Sequence, residues 1–313
     1  MIELKEAAKI LKAAKKIAIT AHTNPDGDAI GSTLAMMRAL KNAGKEAFVL
    51  IDDELPRHLS CLPGFNEIIR PNETDKITAD ILLVLDTATD RIGCVEKIVS
   101  AKILNIDHHV TNKGEHEATY VDATAAATAE IVFDLLKLME VPLDIDIANC
   151  LYLGMATDTG FFKYANTKSR TLKAAADCLD AGVRPNEISE FTEQKSFETV
   201  HTMVLALNTI ELFANGRAAG IFLDEELTNK AETTEGFIDQ IRIIEGVDIA
   251  VLLKCKKTGE CRVSMRSKGK DVAKIAESFG GGGHVRAAGA TLKLPFEEAK
   301  RTVIDAITKA LED

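Results

Sequence analysis

The sequence predicts an α/β fold: an N-terminal parallel-sheet domain with helices on both faces, followed by a smaller α+β domain. In the first half, short continuous runs of Val, Ile and Leu alternate with helical patterns, as in parallel sheets buried on both faces. In the last third, hairpin patterns replace that alternation. The length of 313 residues suits two domains, at roughly 100–200 residues each.

The elements of the first domain follow from the positions of these runs. Strands are predicted at Lys16–Thr20, Ala47–Ile51, Asp80–Asp86 and Lys102–Asp107. Helices are predicted at Ala29–Asn42, Ala126–Met139, Asp146–Ala156 and Ser169–Ala181. We expect the first domain to span residues 1–186. Because Pro185 is typical of a helix start, a helical linker is expected over 187–208.

Residues 209–313 predict a second domain of strands and helices. Alternating strands flank Asn215-Gly216, and a second strand pair turns at Thr258-Gly259; both dipeptides are typical of hairpins. A helix at Val272–Phe279, a glycine run and a last helix at Pro295–Leu311 complete this domain.

Composition excludes several classes of protein. The net charge of −10 argues against a nucleic-acid coat protein, although residues 254–270 hold seven Lys or Arg against Glu260 alone. The longest apolar run, Ile81–Leu85, is far shorter than the ~20 residues that span a bilayer, so no membrane association is expected. The six cysteines form no Cys-x-x-Cys pair, so we expect reduced thiols, Cys255 and Cys261 included, and a cytoplasmic protein.

Polar residues follow several of the predicted strands directly. His22, Asp26 and Asp28 come after the first strand, where Asp28 could also be an ordinary helix cap. Asp86 ends the third strand, and Asp107-His108-His109 ends the fourth. Asp158 ends a helix, where a carboxylate is electrostatically unfavourable without a cation nearby. Ligands gather at the carboxyl ends of strands in open α/β sheets, so one shared site is expected.

The residue types in this set predict a site for two metal ions. Its members are His22, Asp26, Asp28, Asp86, His108 and Asp158. Carboxylates and imidazoles without thiolates suit Mn²⁺, with Mg²⁺ as the alternative. Two such ions about 3.5–4 Å apart generate a nucleophile and stabilise an in-line phosphoryl displacement.

These motifs make the chain resemble the DHH phosphoesterase family, whose name matches Asp107-His108-His109. The segments HTNPDGDAIGS, VLDTATDRIG and MATDTGFF are similar to other core motifs of that family. The resemblance implies that His22 and Asp26 hold one metal, that Asp28, His108 and Asp158 hold the other, and that Asp86 bridges them. It also implies that Asp107 orients an imidazole and that His109 faces the phosphate.

The segment GGGGHVRAAGA resembles the C-terminal domain of one DHH subfamily. A glycine run exposes backbone N–H groups to an anion, and a helix that follows it would favour negative charge; alternatively, the run is a helix cap with a loop. The resemblance implies that Arg262, Ser264 and Arg266 contact a nucleotide. It implies further that Gly281, Gly282, Gly283 and His284 contact its terminal phosphate.

The resemblance covers the whole chain and implies an oligoribonuclease (nanoRNase) or 3′-phosphoadenosine 5′-phosphate (pAp) phosphatase. The expected substrates are short single-stranded RNA or small nucleotides, and the expected products are nucleoside monophosphates. Hydrolysis of linear or cyclic dinucleotides (pApA, c-di-AMP) is an alternative, as is a non-catalytic nucleotide sensor, although a sensor would be expected to lack a metal ligand. The sequence is compatible with a homodimer as well as with a monomer.

Overall fold

The computed structural model of the protein describes residues 1–231, 233–256 and 259–312. The chain divides into two compact units, of which the first comprises Met1–Gln194 and the second begins at Lys195. Within the described residues, no helix has the length and apolar character needed to cross a bilayer.

The first unit is built on a five-stranded sheet. Its strands are β1 (Lys16–Thr20), β2 (Glu46–Leu50), β3 (Ile77–Leu85), β4 (Val99–Asp107) and β5 (Thr119–Val121). Its helices are α1 (Leu4–Ala13), α2 (Gly27–Asn42), α3 (Val95–Ile98), α4 (Thr128–Met139), α5 (Ile145–Asp158), α6 (Ser169–Asp180) and α7 (Pro185–Thr192). The strands are all parallel, in the order β2-β1-β3-β4-β5. The predicted parallel-sheet fold is therefore confirmed, while β5, α1 and α3 are additions to it.

The two faces of this sheet are covered unequally. Ile17 and Ile19 of β1 lie in a core that includes residues of α1, α2, α4 and α5. Ala18, between them, lies in a smaller cluster with Val95 and Ile98 of the one-turn helix α3. Helices cover both faces as predicted, but the long ones gather on one side.

Helices α2, α4 and α5 approach one another closely around Asp28. A Cβ atom on Gly31 of α2 would lie 2.4 Å from the carbonyl oxygen of Cys150 in α5. A Cβ atom on Gly154 of α5 would lie 2.7 Å from the Cβ of Ala129 and 2.9 Å from Asp28 Oδ1. Larger residues at either glycine would force the helices apart and move the Asp28 carboxylate.

Strands β1, β3 and β4 are neighbours, so the loops that follow them leave the sheet along one edge. From β1 the chain goes through α2 to β2 on one side, and then returns to β3 on the other. The carboxyl ends of β1 and β3 therefore flank the point where the strand order reverses, which is where open α/β sheets bind ligands.

The segment 187–208, for which a helical linker is predicted, contains the end of one helix and a second, separate helix. Helix α7 ends at Thr192, and helix α8 (Phe197–Leu207) starts anew within the second unit. Ser196 caps α8, because its hydroxyl oxygen accepts the N–H of Thr199 at 3.0 Å. A serine in this position starts a helix by satisfying an otherwise unpaired amide.

The second unit contains a six-stranded mixed sheet. Its strands are β6 (Glu211–Phe213), β7 (Ala218–Leu223), β8 (Ile249–Cys255), β9 (Cys261–Ser267), β10 (Gly282–His284) and β11 (Ala287–Leu292), in the order β10-β11-β9-β8-β7-β6. Besides α8, its helices are α9 (Glu225–Lys230), α10 (Phe237–Arg242), α11 (Val272–Ser278) and α12 (Phe296–Glu312). Among the described strands of this sheet, only β7 and β8 pair in parallel. The predicted α+β class is confirmed.

Each face of this second sheet has its own helices. Residues of α11 and α12 pack with Val263 and Met265 of β9 in one cluster. Residues of α8 and α10 pack on the other face with Ala250 and Leu252 of β8. Both predicted hairpins form, around Asn215-Gly216 and between β8 and β9. In the second predicted turn, Thr258 lies outside the described residues.

Cys255 and Cys261 form a disulfide, so the expectation of reduced thiols is wrong for this pair. The antiparallel register of β8 and β9 places the two residues directly opposite each other, with Cα atoms 4.0 Å apart. Four other cysteines are free, and Cys61 alone among these four is exposed. A sequence motif such as Cys-x-x-Cys does not reveal a pair that only strand register brings together.

Candidate metal centre and phosphate-binding face

The loop between β1 and α2 places His22 and Asp26 side by side. His22 Nδ1 lies 2.8 Å from the carbonyl oxygen of Thr23 and donates to it, which leaves the lone pair on Nε2. Nε2 lies 3.9 Å from Asp26 Oδ2. The other oxygen of Asp26 accepts the N–H groups of Asp28 and Ala29, each at 3.1 Å. Asp26, rather than Asp28, is therefore the N-cap of α2.

Asp86 follows β3 directly and is only 1 % exposed. Its Oδ2 lies 3.5 Å from His22 Nε2, and its Oδ1 lies 3.5 Å from His108 Nε2. Its backbone is left-handed, with φ at 62°, which is unfavourable for a residue other than glycine. Burial and the carboxylates of Asp28 and Asp26 raise the pKa of Asp86 well above its usual range. The carboxylate thus faces two histidines from a strained, buried position.

Asp28 is fully buried in the first turn of α2 and is held by the start of α4. Its Oδ2 accepts the N–H of Thr128 at 2.5 Å, and its Oδ1 accepts the N–H of Ala129 at 2.8 Å. The hydroxyl of Ser32 donates to Oδ1 at 3.1 Å. Burial and the carboxylate of Asp158 raise the pKa of Asp28 to about 7.

His108 and Asp158 complete a second group with Asp28. His108 Nε2 lies 3.2 Å from Asp158 Oδ2, and this buried nitrogen has no hydrogen-bond partner among the described residues. Burial lowers the pKa of His108, but the adjoining carboxylates of Asp158 and Asp28 outweigh burial and raise it to about 9. Asp158 is the last residue of α5, as predicted.

The structure therefore brings all six predicted ligands together. Three overlapping groups have ligand atoms that lie within 4.8 Å of one another: His22 with Asp26 and Asp86; Asp28 with His108 and Asp158; and Asp86 with His108 and His109. Within the described chain, no Lys or Arg forms an ion pair with these carboxylates. Clustered carboxylates without a cation, and a buried imidazole nitrogen without a hydrogen bond, fit divalent metal ions with oxygen and nitrogen ligands.

Asp107 is buried beneath this cluster and holds His109. Its Oδ1 accepts from His109 Nδ1 at 2.8 Å and from the backbone N–H of His108 at 2.7 Å. Its Oδ2 accepts from the side-chain amide of Asn112 at 2.9 Å. Although burial opposes it, the hydrogen bonds from His109 and Asn112 lower the pKa of Asp107. The imidazole that Asp107 orients is thus that of His109, not that of His108.

Three residues of the site, Asn105, Asn112 and Thr128, were not predicted from the sequence. Asn112 links Asp107 to Asn105, because its amide also donates to Asn105 Oδ1 at 2.7 Å. Thr128 bonds both Asp28 and Asp86, the latter through its hydroxyl at 3.0 Å. The only sequence signal for Asn105 was a polar residue inside the apolar strand KILNID. Thr128 stands in a run of alanines and threonines that is typical of a helix start and nothing more.

In the second unit, Arg262, Ser264 and Arg266 occupy alternate positions of β9. Since Val263 and Met265 lie in the core with α11 and α12, the three polar residues project from the opposite face. Ala287 of β11 is paired with Arg266 on one side and with His284 of β10 on the other. The structure therefore places Arg266 and His284 in one row across three strands, with only a methyl group between them.

The next row along the same face consists of Leu252, Ser264, Gly289 and Gly282, so Ser264 has a leucine on its β8 side and no side chain on its β11 side. The predicted contact residues Arg262, Ser264, Arg266, Gly282 and His284 thus share one face of the sheet, by alternation along the strands.

The second half of the glycine run lies in strand β10, and the expectation of a helix directly after the run is wrong. A Cβ atom on Gly281 would lie 2.2 Å from the carbonyl oxygen of Gly289, and one on Gly283 would lie 2.5 Å from that of Ala287. Gly283 also has φ at 145°. These glycines permit the close approach of β10 to β11. Gly280, with φ at 73°, ends α11, in agreement with the alternative of a helix cap.

Comparison with known families identifies both units. Residues 16–155 match the DHH family, N-terminal domain, and residues 216–313 match the DHHA1 domain. A protein of Thermus thermophilus named bifunctional oligoribonuclease and PAP phosphatase is 37 % identical over 99 % of this chain and 94 % of its own length.

Two further relatives are more distant. A cyclic-di-AMP phosphodiesterase of Listeria monocytogenes is 23 % identical over 96 % of this chain and 48 % of its own length. The crystal structure of an exopolyphosphatase-related protein from Bacteroides fragilis superposes with a TM-score of 0.90 at 26 % identity, covering 99 % of this chain and 97 % of that one. With both family domains present in order and a relative of this identity along its whole length, the chain belongs to the DHH family, as a member that carries a C-terminal DHHA1 domain.

Proposed function

We propose that the protein is a metal-dependent phosphoesterase that hydrolyses short oligoribonucleotides and pAp to nucleoside monophosphates. The relative in Thermus thermophilus is named for both activities. In this proposal residues 1–186 form the catalytic domain, 187–208 connect the domains, and 209–313 bind the substrate.

The observation that carries the proposal is the position of Asp86 between two groups of ligands. His22 and Asp26 lie on one side of it, and Asp28, His108 and Asp158 gather on the other. The first group would hold one divalent cation and the second group another, with Asp86 shared by both. Mn²⁺ is the expected ion, because nitrogen ligands favour it over Mg²⁺.

The chemistry divides between the ions and the chain. Two bound cations would supply a nucleophile at neutral pH and neutralise the charge that develops on the phosphoryl oxygens. The protein fixes the positions of the ligands. Helix α4 holds Asp28 through two backbone N–H groups, and the Thr128 hydroxyl holds Asp86. Fixed ligands need no reorganisation when the phosphorus is attacked.

Asp107 and His109 would act on the substrate phosphate. The hydrogen bond between His109 Nδ1 and Asp107 Oδ1 assigns a proton to Nδ1, so Nε2 is the ring atom that would face the phosphate, and it would donate to a phosphoryl oxygen only as an N–H group. The lowered pKa of Asp107 keeps its carboxylate charged at neutral pH. We therefore assign His109 as the catalytic residue in contact with the phosphate, and Asp107 as the residue that positions it.

The second unit would bind the rest of the nucleotide. Arg262, Ser264 and Arg266 supply charge and a hydroxyl, and Arg is well shaped for bidentate phosphate contacts. His284 would contact the terminal phosphate together with backbone groups of Gly281, Gly282 and Gly283. A site that binds a few nucleotides at most would favour short substrates.

Hydrolysis of pApA or c-di-AMP is the second candidate, since the Listeria monocytogenes relative is named for cyclic-di-AMP. The same metal ligands would serve either reaction. A non-catalytic sensor is not favoured, because none of the six ligands is missing and all of them come together.

The test is turnover on four substrates measured side by side with Mn²⁺: pAp, pApA, a five-nucleotide RNA and c-di-AMP. We expect Mn²⁺-dependent release of nucleoside monophosphate from pAp and the short RNA, and none after EDTA treatment. Asp86→Asn serves as the inactive control. Full activity in exhaustively chelated protein, with metal analysis confirming removal, would contradict the proposal.

A further inference from the structure

Lys254 lies on the same face of the C-terminal sheet as the predicted nucleotide contacts Arg262, Ser264 and Arg266. It is paired directly with Arg262 across β8 and β9. Paired residues of antiparallel strands project from the same face, so two cationic side chains stand next to each other. Like charges in directly opposite positions destabilise a sheet, and a bound anion would remove that repulsion.

No acidic group of the described chain does so. Neither Lys254 nor Arg262 forms an ion pair with any carboxylate of the described residues. Lys254 is also half-buried, where its charge is less well solvated than on an open surface. Burial, together with Arg262 and Lys256, lowers the pKa of the Lys254 ammonium. The positive charge is therefore concentrated, and the described residues supply no counter-charge to it.

The polar contacts of Lys254 leave it capable of binding an anion. Its Nζ donates one hydrogen bond, to Thr234 Oγ1 at 2.9 Å, and an ammonium group has three donors. Thr291 of β11 pairs with Arg262 on its other side, so a second hydroxyl stands in the same row. One step along β9 on this face, Ser264 adjoins Gly289, which has no side chain. The basic pair is bordered by the hydroxyls of Thr234, Thr291 and Ser264, and by Leu252 on the β8 side of Ser264.

We propose that Lys254 and Arg262 form a phosphate-binding subsite, and that its ligand is a phosphomonoester group of a nucleotide. A phosphomonoester carries about 1.5 to 2 negative charges near pH 7 and has three acceptor oxygens. It can therefore accept from the planar guanidinium and the ammonium at once, while a phosphodiester offers less charge. That the phosphate belongs to a nucleotide rests on the proposed function; the binding of phosphate itself does not.

Binding to the full-length protein in EDTA tests the subsite without metal chemistry. Calorimetry would compare AMP with adenosine, which differ only in the 5′-phosphate, and with inorganic phosphate. We expect AMP to bind the wild type more tightly than adenosine. Loss of a charge-assisted contact in Lys254→Gln should weaken AMP binding by about 10- to 150-fold and leave adenosine binding nearly as before.

Lys274→Gln is the matched control. Lys274 lies on α11, which packs against the opposite face of the sheet, and the substitution changes the net charge of the protein equally. We expect it to bind AMP as the wild type does. Equal losses in Lys254→Gln and Lys274→Gln would show a general charge effect and would overturn the subsite, as would AMP binding no better than adenosine.

A second measurement uses wild-type protein and so does not depend on the folding of a variant. Bound AMP should protect Lys254 from reductive methylation, read by mass spectrometry, while Lys274 is methylated at the same rate with and without AMP. Unchanged methylation of Lys254 at saturating AMP would overturn the proposal.

Failure of the subsite and failure of the proposed function can be told apart. If the protein hydrolyses none of the four substrates with Mn²⁺, the proposed function fails, yet AMP binding in EDTA still measures the subsite. If hydrolysis occurs while Lys254→Gln binds AMP like the wild type, the subsite alone is wrong. Protection by inorganic phosphate but not by AMP would overturn the assignment of a nucleotide ligand.

Discussion

The hydroxyl of Thr128 donates to Asp86 Oδ1 at 3.0 Å, while the backbone N–H of Thr128 donates to Asp28 Oδ2. One residue at the start of α4 thus fixes a carboxylate from each half of the candidate metal centre. Neither bond depends on the other, since one uses the side chain and the other the main chain. Side-chain substitutions at Thr128 can therefore disturb Asp86 while leaving the hydrogen bond from the Thr128 backbone N–H to Asp28 in place.

We predict that Thr128→Val weakens Mn²⁺ binding about 10- to 100-fold, the usual cost of removing a hydrogen bond to a metal ligand. Valine keeps the branched shape and removes only the hydroxyl. Thr128→Ser should restore affinity, and Thr33→Val, which removes a buried hydroxyl elsewhere in the unit, should have little effect. Mn²⁺ titration followed by metal analysis makes the comparison. Weak binding in the serine variant as well would rule out a role for the hydroxyl.

Asp86→Asn is expected to cost more activity than Asp28→Asn. Asp86 belongs to two of the ligand groups, whereas Asp28 belongs to one. The kinetic constant kcat at saturating Mn²⁺ and the number of ions per chain would both be measured. The reverse order of the two variants would remove Asp86 from the shared position.

Metal-free protein should lose stability as pH rises. The pKa of Asp28 is raised from 3.8 to about 7, so between these values the folded protein keeps a proton that the unfolded chain has released. The pKa of His108 is raised from 6.5 to about 9, so the stability from its charged form is complete below 6.5 and lost by about 9. Both shifts act in the same direction.

The melting temperature of EDTA-treated protein should therefore fall between pH 5 and pH 9 in thermal scans. Because bound cations displace these protons, added Mn²⁺ should raise the melting temperature more at pH 8 than at pH 6. A melting temperature that rises with pH in the absence of metal would show that the acid cluster is arranged differently.

Arg266→Ala and His284→Ala should mainly impair nucleotide binding and leave the metal content unchanged. Loss of a charge-assisted phosphate contact costs about 1.5–3 kcal/mol, or about 10- to 150-fold in kcat/KM. Bis-p-nitrophenyl phosphate has no remote phosphate, so both variants should hydrolyse it almost as well as the wild type. Arg301→Ala, an exposed arginine on α12, is the control. Equal losses on both substrates would place the second unit in the chemistry itself.

The sequence predicted most of the first unit because its signals are local. A buried strand is an apolar run, and β1 has the predicted bounds, Lys16–Thr20. Parallel neighbours bring their carboxyl ends to one edge, which was enough to predict that His22, Asp86 and His108 would meet. The helices around them were predicted from the 3.6-residue spacing of apolar residues and from the residues typical of helix ends.

What the sequence did not reveal depends on register and on main-chain contacts. Thr128 binds Asp28 through a backbone N–H, which leaves no trace in residue type. Cys255 and Cys261 meet because two strands pair in one register of several. The glycine run looked like an anion-binding loop, but Gly281 and Gly283 are required by the carbonyl groups of the neighbouring strand. Lys254 became notable only when Arg262 was found opposite it.

The left-handed backbone of Asp86 lowers the stability of the fold at a position where the candidate metal centre requires a carboxylate. Such a conformation in a residue other than glycine costs of order 1–3 kcal/mol, and the buried carboxylates around Asp86 repel its charge. A glycine here would remove both the backbone strain and the charge repulsion. Selection for stability alone would therefore replace this aspartate. An aspartate is therefore expected at this position only where selection acts on what the carboxylate binds. A homologue with glycine here should be more stable to unfolding and catalytically inactive.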